Sequence, residues 1–348
     1  MNPPGDNPDN KKDPLGGDSQ LNSQEPLGDL ASRIVVHPEE RTDSPNAEPL
    51  QIDPASLGSA VLPPPFPVSR AETGSLWPWS HLHLLWSWLH LFFFLLFSFG
   101  SLVAIQIGIF VHYSSGRSMS LKQFEQFVQS RPDLAIGMNV VWFFLVFLFL
   151  YVTLAVLPKA PFWRTLGWRK LGLTSNAPSN PWVYFFGGVA LALCVALLSL
   201  RIKTPEHLPI QDLLKNRTGA ILLMSMAVLI APLIEETVFR GYLYPLFSSS
   251  YARVVQFLGA DPAQAARTGS LVGILLTGTL FGIMHGAQLG WTWSLVGMLT
   301  TVGVIFTFVR ARAGTVLASF LLHLGYNSMI AFAAIVSTHG FTRLPPAP

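Results

Sequence analysis

The chain has 348 residues, of which 50% are hydrophobic and 12% charged, with a mean hydropathy of +0.43; this excludes a soluble protein with a fully solvated surface. The formal charge of +3 hides a split: residues 1–80 hold twelve acids and five bases, net −7, and residues 81–348 seven acids and seventeen bases, net +10. The basic excess of the second part is that of loops flanking membrane spans, and no nucleic acid is needed to explain it. A single cysteine, Cys194, rules out an intrachain disulfide and a thiolate metal site, and its expected place is a packed core.

Residues 1–80 are rich in Pro, Gly, Asp, Asn and Ser, with Pro63-Pro64-Pro65 near their end. They lack a sustained apolar period and so cannot bury enough surface to offset chain entropy, which reads as a disordered acidic tail. No basic stretch leads directly into an apolar one, so no cleaved signal peptide is expected there.

From residue 82 onward, apolar runs long enough to cross about 30 Å of hydrocarbon recur. They cover His83 to Val111, Gly137 to Leu157, Val183 to Leu200, Gly219 to Tyr242, Gly269 to His285, Trp291 to Val309 and Thr315 to Ile335. The expected fold is therefore all-α: a polytopic transmembrane helical bundle of seven to eight spans over residues 81–340. Trp77, Trp79, Trp86, Trp88, Trp163, Trp168, Trp182, Trp291 and Trp293 fall at or near span ends, as interfacial anchors do. Alternate loops carry Lys and Arg in equal number, so the charge rule leaves orientation open, with Arg70 tipping it toward a cytoplasmic N-terminus. In the fifth run, Gly269, Gly273, Gly278, Gly282 and Gly286 predict close helix packing that would hold His285 in place.

The fourth run contains Glu235-Glu236-Thr237-Val238-Phe239-Arg240, carboxylates and a cation where apolar residues belong; such a placement is costly in a bilayer and asks for a function. Successive helical residues point about 100° apart, so Glu236 and Arg240, four apart, share a face and should pair, while Glu235 points elsewhere. That leaves Glu235 as the candidate general base. Pro232 should disturb the helix and expose carbonyls that need polar partners. His285 in the fifth run can orient Glu235 or a water, or pass a proton to a leaving amine. His323 and Asn327 share a face of the seventh and can serve a developing oxyanion. His90, without a companion, reads as a histidine bonded to a neighbouring carbonyl.

In order, these segments resemble the EExxxR, FxxxH (Phe281 to His285) and HxxxN (His323 to Asn327) motifs of the CPBP family of intramembrane proteases, which includes the type II CAAX endopeptidases. The resemblance spans about residues 180–335. It implies that Glu235 and His285 activate water, that His323 and Asn327 stabilise the oxyanion, and that Glu236 and Arg240 support the site. It implies an endopeptidase acting on a membrane-associated or prenylated peptide, in a multi-pass protein of a bacterial-type plasma membrane. No cofactor is expected; the alternative is zinc held by Glu235, His285 and His323. The expected partners are the lipid bilayer and a peptide or protein substrate. Two rival readings stay open: a non-enzymatic immunity or scaffold protein, and a proton-coupled transporter, which the lack of an inverted repeat disfavours.

Overall fold

The structure, a computed structural model, describes residues 86–115, 119–174, 177–202, 205, 208–214 and 216–343, all in one structural unit. The expected acidic tail, and the start of the first run at His83, lie outside the described residues. Five of the seven long helices begin at a side chain that accepts a hydrogen bond from the first turn: Ser87, Asn180, Asn216, Asp261 and Thr315. Pro181 and Pro262 occupy the first helical position, where a missing N–H costs nothing.

The helices long and apolar enough to cross a membrane are α1 (Trp88–Ser114), α2 (Pro132–Val156), α3 (Pro181–Ser199), α4 (Arg217–Phe257), α5 (Pro262–Met284), α6 (Trp293–Ala313) and α7 (Val316–Ser337). Among the described residues no strand occurs, so the all-α multi-span fold holds. The sequence missed a short helix, Leu121–Gln129, closed by a reciprocal Ser120–Gln123 capping box. It also ended α4 too early. Tyr244–Phe257 continues it, and the Ser248 to Arg253 stretch that lowers local hydropathy packs its inner face along α5.

Lipid tails are as apolar as leucine, so close van der Waals fit and polar bonds, rather than removal from water, hold such helices together. The glycines supply the fit. Gly269 and Gly273 lie against Ser248 of α4, and Gly278 and Gly282 against Val304 and Thr300 of α6. Between α3 and α7, Gly188 faces the Leu322 carbonyl and Gly325 the Phe185 carbonyl, so closely that a methyl group would meet backbone on either side. By contrast, large apolar side chains of α1 such as Phe92, Phe93 and Phe99 point outward. Cys194 is exposed on α3, which corrects the expectation of a core position.

Candidate active site

α4 is not a uniform α-helix. Met226–Ile230 and Glu236–Leu243 are π-helical, and Ala231–Glu235 between them is α-helical. π-helical turns in otherwise α-helical segments recur at functional sites. Pro232 accounts for the first. In the π register the Ala227 carbonyl would pair with the N–H of residue 232, which proline lacks. Asn327 of α7 takes that place, donating from Nδ2 to the Ala227 oxygen at 2.7 Å. The disturbance expected at Pro232 is thus a register slip whose orphaned carbonyl is satisfied by a site residue.

The second π-helical segment begins at Glu236. Its carboxylate and the Arg240 guanidinium are fully buried, with Nη1 donating to Oε1 at 2.9 Å. Arg240 also donates from Nε to the Thr307 hydroxyl (3.2 Å) and from Nη2 to the Gly303 carbonyl (2.9 Å), both on α6. Its charged end lies 4.5 Å from the centre of the Phe281 ring and 5.3 Å from that of Phe306, within cation–π range. The desolvated cation is therefore met by a carboxylate, two neutral oxygens and two aromatic faces.

His323 joins this group. Its Nδ1 lies 3.0 Å from Glu236 Oε1, and beside an ionised carboxylate that nitrogen carries the hydrogen. Nε2 is then the acceptor, and Asn327 Nδ2 donates to it at 3.2 Å. The bond to Ala227 fixes which end of the Asn327 amide is the NH2 group, and both its hydrogens are engaged. Glu236 Oε2 has no hydrogen-bond partner among the described residues. The neighbouring Ser319 hydroxyl donates to the Val316 carbonyl at 3.1 Å, and a turn of its hydrogen about the Cβ–Oγ bond would direct it to the Glu236 carboxylate instead.

Glu235 faces the other way. Its Oε1 lies 4.0 Å from His285 Nε2 and its Oε2 3.9 Å from His323 Nε2, too far for direct hydrogen bonds. His285 follows the last residue of α5, and its Nδ1 donates to the Phe281 carbonyl at 2.7 Å, so that in the neutral ring Nε2 is the bare nitrogen, turned toward Glu235. The side chains of Glu235 and His285 keep 16% and 20% of their exposure while Glu236 and Arg240 keep none, so only the first pair is open to a small molecule.

All six residues singled out in the sequence thus meet across α4, α5 and α7. The partners that sequence reasoning missed, Thr307, Gly303 and Ala227, carry ordinary helical residue types and gave no signal of their own. A zinc ion at Glu235, His285 and His323 would need the His323 Nε2 lone pair, which here accepts the Asn327 N–H. Among the described residues no cluster of three or more His, Cys, Asp and Glu is arranged to hold a metal ion.

Residues 217–329, from the start of α4 into α7, match the family described as Type II CAAX prenyl endopeptidase Rce1-like. The matched stretch holds all three motifs. No curated protein and no solved structure matches the chain significantly.

Proposed function

Starting from a membrane protein that carries an Rce1-like domain of the type II CAAX prenyl endopeptidase family, we propose that this chain hydrolyses a peptide bond with a water activated by Glu235. The supporting observation is the 4.0 Å gap between Glu235 Oε1 and His285 Nε2, two acceptors that face each other without a shared hydrogen. Two hydrogen bonds of about 2.8 Å to one water span a gap of this size. A water that donates one hydrogen to each acceptor turns its lone pairs outward, toward an incoming carbonyl carbon.

As the water oxygen bonds to that carbon, one of its protons passes to Glu235 and the carbonyl π electrons move onto oxygen. His323 and Asn327 are the donors for this oxyanion. Asn327 swings one N–H from His323 to the oxyanion and keeps the other on Ala227. His323 donates only as the imidazolium, with a second proton taken up at Nε2 from solvent before the peptide binds, and its charge then faces the Glu236 carboxylate at Nδ1, which offsets it. Collapse of the intermediate expels the amine, which takes the proton held by Glu235 and restores the carboxylate. Glu236 and Arg240 hold His323 in place and touch no reacting atom. No metal enters this route.

The substrate class is a membrane-associated peptide, with prenylated C-terminal peptides indicated by the family description. The test is cleavage of a fluorescence-quenched, farnesylated CaaX peptide by the purified chain in liposomes, beside Glu235→Gln. Turnover lost in that variant supports the reading; turnover that survives it refutes it. The scaffold reading draws on one observation, the clamp from Glu236 through Arg240 to Thr307 and Gly303, which would stabilise the bundle in an inactive protein as well.

A further inference from the structure

Three polar bonds tie the N-terminal turns of α1 to the second half of α4. Trp86 Nε1 donates to the Tyr242 carbonyl at 3.1 Å, Trp88 Nε1 to the Ser250 hydroxyl at 3.0 Å, and the Tyr242 hydroxyl meets His90 Nδ1 at 2.7 Å. His90 is also held from its other side, with Nε2 2.9 Å from the Thr153 hydroxyl of α2. The direction of each bond follows from its neighbours. The Thr153 hydroxyl donates to the Phe149 carbonyl at 2.7 Å, so it accepts from His90 Nε2–H. Nδ1 is then the bare nitrogen, and the Tyr242 O–H donates to it. The relay runs Tyr242 to His90 to Thr153 to Phe149 in one direction, with every hydrogen assigned.

Both ends of the histidine rest on π-helical turns: Tyr242 lies in Glu236–Leu243, and Thr153 in Val152–Val156. Tyr242 is fully buried, and the rings of Trp86, His90 and Phe94 pack on it at 5.2 to 5.5 Å. It sits two residues after Arg240 on the widened turn that also carries Glu236. The bland account of His90, a bond to a nearby carbonyl, does not describe this histidine, whose two nitrogens go to hydroxyls of two other spans. The rest of α1 packs chiefly on α2 and otherwise faces outward, and all of it lies outside the residues that match the family.

We propose that His90 is a positioning residue for the hydrolytic site: through the Tyr242 hydroxyl it holds the π-helical turn that presents Glu236 and Arg240, and so sets the direction of Glu235. The role rests on the hydrolytic reading given above. A turn held at one point by a bond of defined direction changes its angle when the bond is lost, and a displacement of about 1 Å at reacting groups costs up to ~100-fold in rate.

Asparagine and glutamine divide the two functions of the ring. In His90→Asn the amide oxygen stands where Nδ1 was and still accepts from Tyr242, whereas in His90→Gln the amide nitrogen stands where Nε2 was and keeps only Thr153. The full chain in liposomes is assayed with the farnesylated CaaX peptide. His90→Asn is expected to keep kcat within about threefold, and His90→Gln and Tyr242→Phe to lose about 10- to 100-fold with KM nearly unchanged. Melting in detergent checks that all three variants are folded. Nitrogen NMR of ring-labelled histidine, assigned by difference against His90→Gln, is expected to show Nδ1 bare, Nε2 protonated, and an Nδ1 signal that moves in Tyr242→Phe.

Equal kcat in the Asn and Gln variants, a protonated Nδ1, or losses that follow unfolding alone would overturn the role. Glu235→Gln in the same assay separates the two claims. If it is inactive while His90→Gln matches His90→Asn, the positioning role alone fails; if it is fully active, the hydrolytic reading fails and takes the role with it.

Discussion

Glu235 and Glu236 are consecutive in the chain and have opposite surroundings: Glu236 is sealed between Arg240 and His323, while Glu235 stands about 4 Å from two imidazole nitrogens and makes no direct hydrogen bond to either. The switch to π-helical geometry occurs between them. The same substitution at the two positions should therefore give different failures. Glu235→Gln is expected to leave the melting temperature in detergent unchanged and to reduce kcat by at least about 1,000-fold, on the scale of losing a base or nucleophile partner. Glu236→Ala leaves Arg240 buried without its counter-ion, a loss of about 3–5 kcal/mol that should appear as poor expression and early unfolding. If Glu235→Gln kept full turnover, the scaffold reading would gain the ground the hydrolase lost.

On the hydrolytic reading Asn327→Ala removes one oxyanion donor, together with the only side-chain partner described for the Ala227 carbonyl. A fall in kcat of about 100- to 1,000-fold at nearly constant KM is expected from peptide kinetics.

Pro232→Ala probes the same contact from the other side. It supplies an N–H that competes with Asn327 for the Ala227 carbonyl, so the amide loses its anchor without being altered. The expected result is a protein at least as stable as the parent, by melting, with kcat reduced about tenfold or more. A parallel loss of stability and rate would instead assign Pro232 to helix packing.

Metal removal should have no effect. With the His323 Nε2 lone pair accepting from Asn327, peptide cleavage at fixed pH is expected to persist after dialysis against a chelator. Activity that vanishes and returns with zinc would reverse the assignment.

The architecture was readable because a bilayer turns helices into apolar runs of fixed length. The site was readable in part because charge inside such a run is rare: the Glu236–Arg240 pair followed from four-residue spacing alone. What the sequence withheld depends on register and on contacts between distant helices. A π-helical turn has no composition of its own, so neither the slip at Pro232 nor its repair by Asn327 could be foreseen. His323 was expected to turn toward substrate, and nothing in the spacing of α7 announced that one of its nitrogens meets Glu236. His90 was set aside for lack of a companion in its own span, since its companions lie 63 and 152 residues away.

The glycine contacts test the packing directly. Gly188→Ala or Gly325→Ala would push a methyl into a backbone carbonyl of the facing helix, which cannot retreat as a side chain would. A destabilisation of about 1–3 kcal/mol or more is expected by melting, whereas Gly100→Ala on α1, where the added methyl meets nothing within 4 Å, should be neutral.

Those same seams decide how the molecule can move. Where α3 meets α7, and where α5 meets α4 and α6, the helices touch backbone to backbone, so rolling or sliding by a fraction of an ångström runs carbonyls into main chain. Such joints have almost no compliance. Glu235, His285, His323 and Asn327 ride on this stiff frame, whereas α1 and α2 meet it through side chains, with Trp86, Phe94, Leu150 and Leu154 in one apolar cluster with Phe239, Tyr242 and Leu246 besides the hydrogen bonds at Tyr242 and Ser250; on the hydrolytic reading, the give that admits a peptide belongs to these side-chain contacts.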